Sequence, residues 1–223
     1  MCGRFTFLAD EIDVLNAFQL DEMVEWHNNY NIAPTQDVLT IINDGEKNRA
    51  GNMKWGLVPF WSKDPSIGSK MINARLETAD EKPSFKKLME RKRCLIVADS
   101  FYEWQKTEDG KQPMRIFLKD RPVFAFAGLW DRWKTDEEER VTCTILTKEA
   151  NDFMKPMHHR MPVILPKDAE QEWIEFEAKD PSDMKQWILG LGDDSMDAYP
   201  VSTYVNSPRN NDEDCIKRVD EAN

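Results

Sequence analysis

Apolar residues recur along the chain in two periods. Alternating or continuous apolar runs bounded by turn residues predict strands at Asp37–Asn43, Asn52–Val58, Arg93–Ala98, Phe101–Lys106, Gln112–Lys119, Val123–Trp130, Val141–Leu146 and Met161–Leu165. Asn43-Asp44-Gly45, Asp109-Gly110 and the polar stretch 135–139 punctuate these runs as turns, and Asn43-Asp44-Gly45 is the strongest hairpin signal. Helical patterns fall at Asp10–Phe18, Ser84–Glu90, Lys148–Met154, Lys167–Phe176 and Asp183–Leu191. Ile12, Leu15 and Phe18 are spaced three apart, as one helix face requires, and Pro181-Ser182 marks a helix start before Asp183. Many closely spaced strands with irregularly interspersed helices predict an α+β fold, a single domain over 1–223 built around a mainly antiparallel β-sheet or barrel with peripheral helices.

The chain has 223 residues, enough for one domain with a substantial core. It has no run of about 18 apolar residues, so no membrane-spanning helix is expected. The first residues lack a basic stretch followed by an apolar one, so no secretory signal is read and the protein is expected to be cytoplasmic.

The formal net charge of −11 argues at first against nucleic acid. Its distribution softens that objection. Residues 166–223 hold 6 basic and 15 acidic side chains, whereas 53–93 hold 10 basic and 5 acidic. Lys86, Lys87, Arg91, Lys92 and Arg93 read equally well as a solvated helix face or as a phosphate-contacting one.

Four cysteines occur, at 2, 94, 143 and 215. None lies in a CxxC pair and no histidines stand at metal-ligand spacing, so neither zinc nor any other metal is expected. Cys94 and Cys143 lie in strand-like apolar runs and read as buried small hydrophobes, and Cys215 reads as incidental in a polar tail. Cys2 differs because of its position. Removal of Met1 leaves Cys2 with a free α-amine, and a terminal cysteine is a 1,2-aminothiol. The amine, with an ordinary pKa of about 7.7–8.0, is partly neutral near pH 7 and attacks an aldehyde to give an imine. The neighbouring thiol then closes onto the same carbon, forming a five-membered thiazolidine. The ring-opened sugar of an abasic DNA site is one of the few macromolecular aldehydes. Gly3 permits close backbone approach, and Arg4 is placed to contact a phosphate or to form a surface ion pair.

Short motifs run in order along the chain: Met1-Cys2-Gly3-Arg4-Phe5, Tyr30-Asn31-Ile32-Ala33-Pro34-Thr35, Trp55-Gly56-Leu57-Val58-Pro59 with Trp61, Ile72-Asn73-Ala74-Arg75-Leu76-Glu77-Thr78, Ala98-Asp99-Ser100-Phe101-Tyr102-Glu103-Trp104, His158-His159-Arg160-Met161-Pro162, and Val201-Ser202 with Val205-Asn206. The ordered set resembles the SRAP family, the SOS-response-associated peptidases or abasic-site processing proteins. The resemblance spans the chain to about residue 206.

The resemblance implies a covalent crosslink between Cys2 and an abasic site in single-stranded DNA, in a DNA-damage response. It also implies catalytic roles for Asn73, Glu103 and His158. Glu103 would take a proton from the Cys2 ammonium, with burial raising its pKa; otherwise it is an exposed member of an alternating face with Phe101 and Gln105. His158 would move protons during ring opening and imine formation, with His159 the lesser candidate. Asn73 would orient the Cys2 amine or the sugar oxygen, having both a donor and an acceptor. Arg75, two residues on, shares a strand face with Asn73 and suits a phosphate. Asn31 is expected in an ordered loop that shapes the pocket. Trp61, Phe60 and Trp104 would stack on bases or else belong to the core. Arg4, Asn31, Trp61, Arg75 and Trp104 thus form the expected DNA-binding set.

Three other readings remain open. A cysteine peptidase would use Cys2, His158 and Glu103 as nucleophile, base and orienting acid, although only Met1 precedes Cys2 for self-removal. A non-catalytic nucleic-acid binder would not need Cys2. A lyase would cleave the strand by β-elimination from the same imine. No cofactor motif is present, no cofactor is expected, and the protein is taken to act as a monomer.

Overall fold

A computed structural model describes residues 2–108 and 110–219. Its strands are β1 (Phe5–Phe7), β2 (Asn29–Ile32), β3 (Asp37–Asn43), β4 (Asn48–Trp55), β5 (Asn73–Arg75), β6 (Arg93–Ala98), β7 (Ser100–Thr107), β8 (Gly110–Leu118), β9 (Phe124–Lys134), β10 (Glu139–Glu149), β11 (Arg160–Pro162) and β12 (Met196–Pro200). Its helices are α1 (Glu11–Phe18), α2 (Leu76–Ala79), α3 (Lys86–Arg91), α4 (Glu170–Trp173) and α5 (Pro181–Gly190).

The expected α+β architecture is present. Strands β10, β4, β3, β6 and β9 pair in that order, and β9 pairs back to β10, closing a five-stranded barrel. Only the β4–β10 contact within this ring is parallel. A second, antiparallel sheet runs β12-β8-β7-β1-β2. Its inner face packs on the barrel through aromatic edges: Phe5 meets Trp55 at 5.2 Å and Phe126 at 5.6 Å, and Phe101 meets Phe126 at 6.1 Å between centroids. Such edge-to-face pairs add to the burial of large apolar area. The apolar core runs continuously from Cys2 to Met196.

The hairpin signals act as their chemistry demands. Between β3 and β4, the Asp44 carboxylate accepts from the amides of Glu46 and Lys47, and Gly45 takes φ +96°. Residues 135–138 close the β9–β10 hairpin, with Thr135 N–H donating to Glu138 O at 2.8 Å. In the Asp109-Gly110 turn, Asp109 lies outside the described residues, and Gly110 opens β8 at φ +135°. Helix α5 starts with Pro181, and Asp180 accepts from the amides of Ser182 and Asp183 as its N-cap.

Several expectations need correction. Lys148–Met154 is not a helix. Lys148 and Glu149 finish β10 by pairing with Met161 and Arg160, and the chain then turns about Asn151, whose side chain accepts from Met154 N–H. Strand pairing here outweighs a weak helical pattern. Asn31 lies on β2 rather than in a loop. Cys215 is fully buried, because the C-terminal segment folds back over the outer face of β7 beside Tyr102, Val201 and Val205. The basic cluster near α3 does not share one face. Arg93 is buried, over the Trp173 ring, and donates to the carbonyls of Trp173, Met89, Glu175 and Glu177. Lys92 pairs with Asp131 at 2.6 Å, while Lys86 and Lys87 stay exposed. Among the described residues no helix is long and apolar enough to cross a membrane.

Candidate active site

Strand β1 places the first candidate. It is held between β2 and β7, and Tyr102 N–H donates to Arg4 O at 2.9 Å, so the pairing with β7 continues back toward Cys2. Cys2 is completely buried. Its thiol is pushed well above the ordinary range, first by burial and then by the charge of Glu103. The sulfur is therefore protonated at neutral pH.

Asn73 opens β5, which runs parallel to β10 from the Asn73–Ile145 pair. Two bonds fix the approach to it: Trp55 Nε1–H and Ile145 N–H both donate to Ile72 O, at 2.8 and 3.1 Å. From this position Asn73 Nδ2 donates to Cys2 O at 2.8 Å. Its Oδ1 is buried and accepts no hydrogen bond among the described residues.

Glu103 sits on β7. The period-2 face shared with Phe101 is real, but it is the face turned to the barrel, and Glu103 is only 3% exposed. A strand residue faces water only if nothing covers its side of the sheet, and here the barrel does. Covering carried the carboxylate inward, where its charge acts on both Cys2 and His158.

His158 ends the turn after β10. Its Nδ1 faces the Arg160 main chain, 2.9 Å from the amide nitrogen and 3.2 Å from the carbonyl oxygen, accepting from the first in one neutral tautomer and donating to the second in the other. Burial lowers its pKa from the ordinary value of 6.5, and Glu103 opposes that shift. His159 is exposed and stacks on the His158 ring at 4.3 Å between centroids. Cys2, Asn73, Glu103 and His158 are thus brought together from four separate elements.

The expected DNA-binding residues divide into three places. Arg4, Asn31 and Trp104 form one knot on the outer face of the second sheet. Arg4 Nη1 donates to Asn31 Oδ1 at 2.7 Å and to Val205 O at 2.9 Å, and its guanidinium lies 5.8 Å from the Trp104 ring centroid. Trp104 Nε1 donates to Asn206 Oδ1 at 2.7 Å. Asn31 is buried, and its Nδ2 donates to the carbonyls of Val205, Ser207 and Asn210. Arg75 is exposed at the end of β5, two residues from Asn73. Trp61 and Phe60 are about half exposed and line a cavity of about 290 Å³ with Pro83, Lys86, Lys87 and Leu88.

The sequence matches the family profile described as SOS response associated peptidase (SRAP) over residues 1–208. The chain belongs to the SRAP family. It is 49% identical over 222 residues to the abasic site processing protein YoqW of Bacillus subtilis (strain 168), covering 97% of this chain and 99% of the relative. It is 36% identical over 194 residues to the abasic site processing protein HMCES of Gallus gallus, covering 76% of this chain and 57% of that longer protein. A solved structure from Bacteroides thetaiotaomicron superposes with a TM-score of 0.81 at 28% identity, covering 98% of this chain and all of the other.

Within this SRAP chain, three residues around the site stand out only in the folded structure. Glu77 forms a two-pronged ion pair with Arg160, whose Nη2 also donates to Thr147 O. The carboxylate of Glu77 is held below its usual range: burial raises it, but the Arg160 bonds outweigh that. Glu77 and Arg160 lie in the quoted motifs, yet no spacing rule marks them as partners 83 residues apart.

Proposed function

We propose that this chain processes abasic sites in DNA, and that it traps the opened sugar covalently on Cys2 within single-stranded DNA. With Met1 removed, the Cys2 amine attacks the C1′ aldehyde and the carbinolamine loses water to give an imine. The sulfur then adds to the imine carbon, and the thiol proton ends on the nitrogen. The product is a thiazolidine, and one water is released overall.

The observation that supports this reading most is that buried Glu103 acts on both buried Cys2 and half-buried His158. A carboxylate there draws the proton from the α-ammonium and returns protons as the ring closes. A neutral His158 ring has one donor and one acceptor nitrogen, suited to moving protons while the sugar ring opens. Asn73, bonded to Cys2 O through Nδ2, keeps a buried Oδ1 for a sugar hydroxyl or the amine. Exposed Arg75 and the exposed rings of Trp61 and Phe60 suit phosphate and bases of a single strand. The names of its relatives agree with the target.

The peptidase reading draws on the family description and on the same cluster. It is weakened by the protonated thiol, since a cysteine nucleophile acts as thiolate. Imine formation needs the amine first and tolerates a protonated sulfur.

The test is a denaturing gel of the protein with a single-stranded oligonucleotide carrying one abasic site, beside Cys2→Ala and undamaged DNA. A shifted band that needs both Cys2 and the lesion supports the trap. Absence of that band, with Met1 shown absent by mass spectrometry, rejects it and turns the search to peptide substrates. A shortened DNA product without a band indicates the lyase.

A further inference from the structure

We propose that Glu77 is a positioning residue for His158, acting through Arg160 to keep the ring in its Nε2–H form. The inference rests on the abasic-site reading above and adds a residue to that site. Arg160 does two things at once. His158 Nδ1 lies 2.9 Å from Arg160 N, from which it accepts when unprotonated, and 3.2 Å from Arg160 O, to which it donates when protonated, and the shorter contact is the one that goes with Nε2–H. The Arg160 side chain is locked by Glu77, with Nη1–Oε1 at 2.6 Å and Nη2–Oε2 at 2.8 Å, and by Thr147 O at 2.7 Å. A two-pronged guanidinium–carboxylate pair fixes orientation as well as distance, and here the Arg160 side chain is buried at 9% exposed while that of Glu77 is 36% exposed.

The pair also spans the site. Glu77 belongs to α2, directly after the β5 strand that carries Asn73, whereas Arg160 opens β11, two residues after His158. Strands β5 and β11 both pair with β10, and Thr147 lies opposite Arg75 on one side and Pro162 on the other. The ion pair therefore closes a bridge across β10 between the segment bearing Asn73 and the segment bearing His158. Partners that hold a working histidine through its second nitrogen fix both its tautomer and its direction. The titratable and charged groups facing His158 are Glu103 from β7, His159 on its own turn and Arg160 on β11, with Glu77 behind Arg160.

The test is a double-mutant cycle on adduct formation with an abasic oligonucleotide, joined to imidazole ¹⁵N NMR of the whole protein. Glu77→Gln is expected to slow adduct formation about tenfold, in the range found for residues supporting a working side chain. In a His158→Ala background the same change is expected to have no further effect, because its only route is then gone. Equal slowing in both backgrounds, or a Glu77→Gln rate within about twofold of the unchanged protein, overturns the proposal. NMR of the unchanged protein is expected to show unprotonated Nδ1 and Nε2–H, and of Glu77→Gln a tautomer mixture. If His158→Ala is too slow to measure, or Glu77→Gln melts below assay temperature, the NMR comparison decides, made at a temperature where the Glu77 variant is folded: the same His158 ring shifts in both proteins, or Nδ1–H in the unchanged one, overturn the proposal, and loss of Nε2–H in the variant sustains it. If the unchanged protein makes no adduct at all, the abasic-site reading fails, while the NMR still reads the hold on His158.

Discussion

The side-chain amide of Asn73 donates to the main-chain carbonyl of Cys2 at 2.8 Å, joining the start of β5 to the residue that precedes β1 by three positions. Cys2 lies beyond the end of its strand but inside the apolar core, and this bond and the Tyr102–Arg4 bond tie down the backbone at and just after it.

Asn73→Ala is expected to leave the Cys2 carbonyl without its donor. A buried polar group left unsatisfied costs about 1–3 kcal/mol, so adduct formation should slow by about tenfold or more. Single-turnover gels measure it, with a thermal melt to confirm that the fold persists. An unchanged rate would remove Asn73 from the site.

Cys2→Ser keeps the amine and loses the thiol. The expected product is an imine that forms, reverses on heating, and is trapped only by a reductant such as borohydride. A heat-stable adduct without reductant would show that the sulfur is not part of the link.

Glu103→Gln is expected to lower the pKa of His158. Burial already depresses it below 6.5, and the charge of Glu103 works against that depression, so neutralising Glu103 removes the opposition. An NMR titration of His158 in both proteins checks the sign, and a rise in the variant would contradict it. The same depression carries a stability consequence. Below about pH 6.5 an unfolded His158 takes up a proton that the native ring resists, so this group's contribution weakens as pH falls.

Asn31→Ala removes three donated bonds to the carbonyls of Val205, Ser207 and Asn210, and one accepted from Arg4. Several of these groups are buried, so a loss of about 3 kcal/mol is expected. Thermal melting should show a drop of several degrees. A full-stability variant with weakened DNA affinity would instead make Asn31 a direct DNA contact.

Trp61→Ala is expected to leave the melting temperature unchanged, since the ring is 51% exposed. Affinity for undamaged single-stranded DNA should weaken by about 1–3 kcal/mol if a base stacks there. Fluorescence anisotropy with a labelled oligonucleotide measures it, and an unchanged affinity would place the DNA elsewhere.

Long or strongly signalled elements were legible before folding. Asp37–Asn43 and Arg93–Ala98 match β3 and β6 residue for residue, and the turns at Gly45 and 135–138 close the hairpins their composition implies. The short strands β1, β2 and β5 were not legible, because three or four residues cannot display a period. These are the strands that carry or flank Cys2, Asn31 and Asn73, so the site depends most on the elements that pattern reading sees least.

The chain by itself determined the chemistry available: an aminothiol once Met1 is gone, a carboxylate on the face of Phe101, a histidine near an arginine, and ordered motifs that mark the family. Which side of β7 would be covered was decided only by the tertiary structure. A period of two names two faces without saying which meets the barrel. Nor could linear spacing distinguish arginines that meet solvent from arginines that hold the fold. Arg75 stays exposed, while Arg4, Arg93 and Arg160 are committed to carbonyls, Asn31 and Glu77. Those partners come from distant segments, and only the closed barrel and the sheet packed on it bring them within hydrogen-bonding reach.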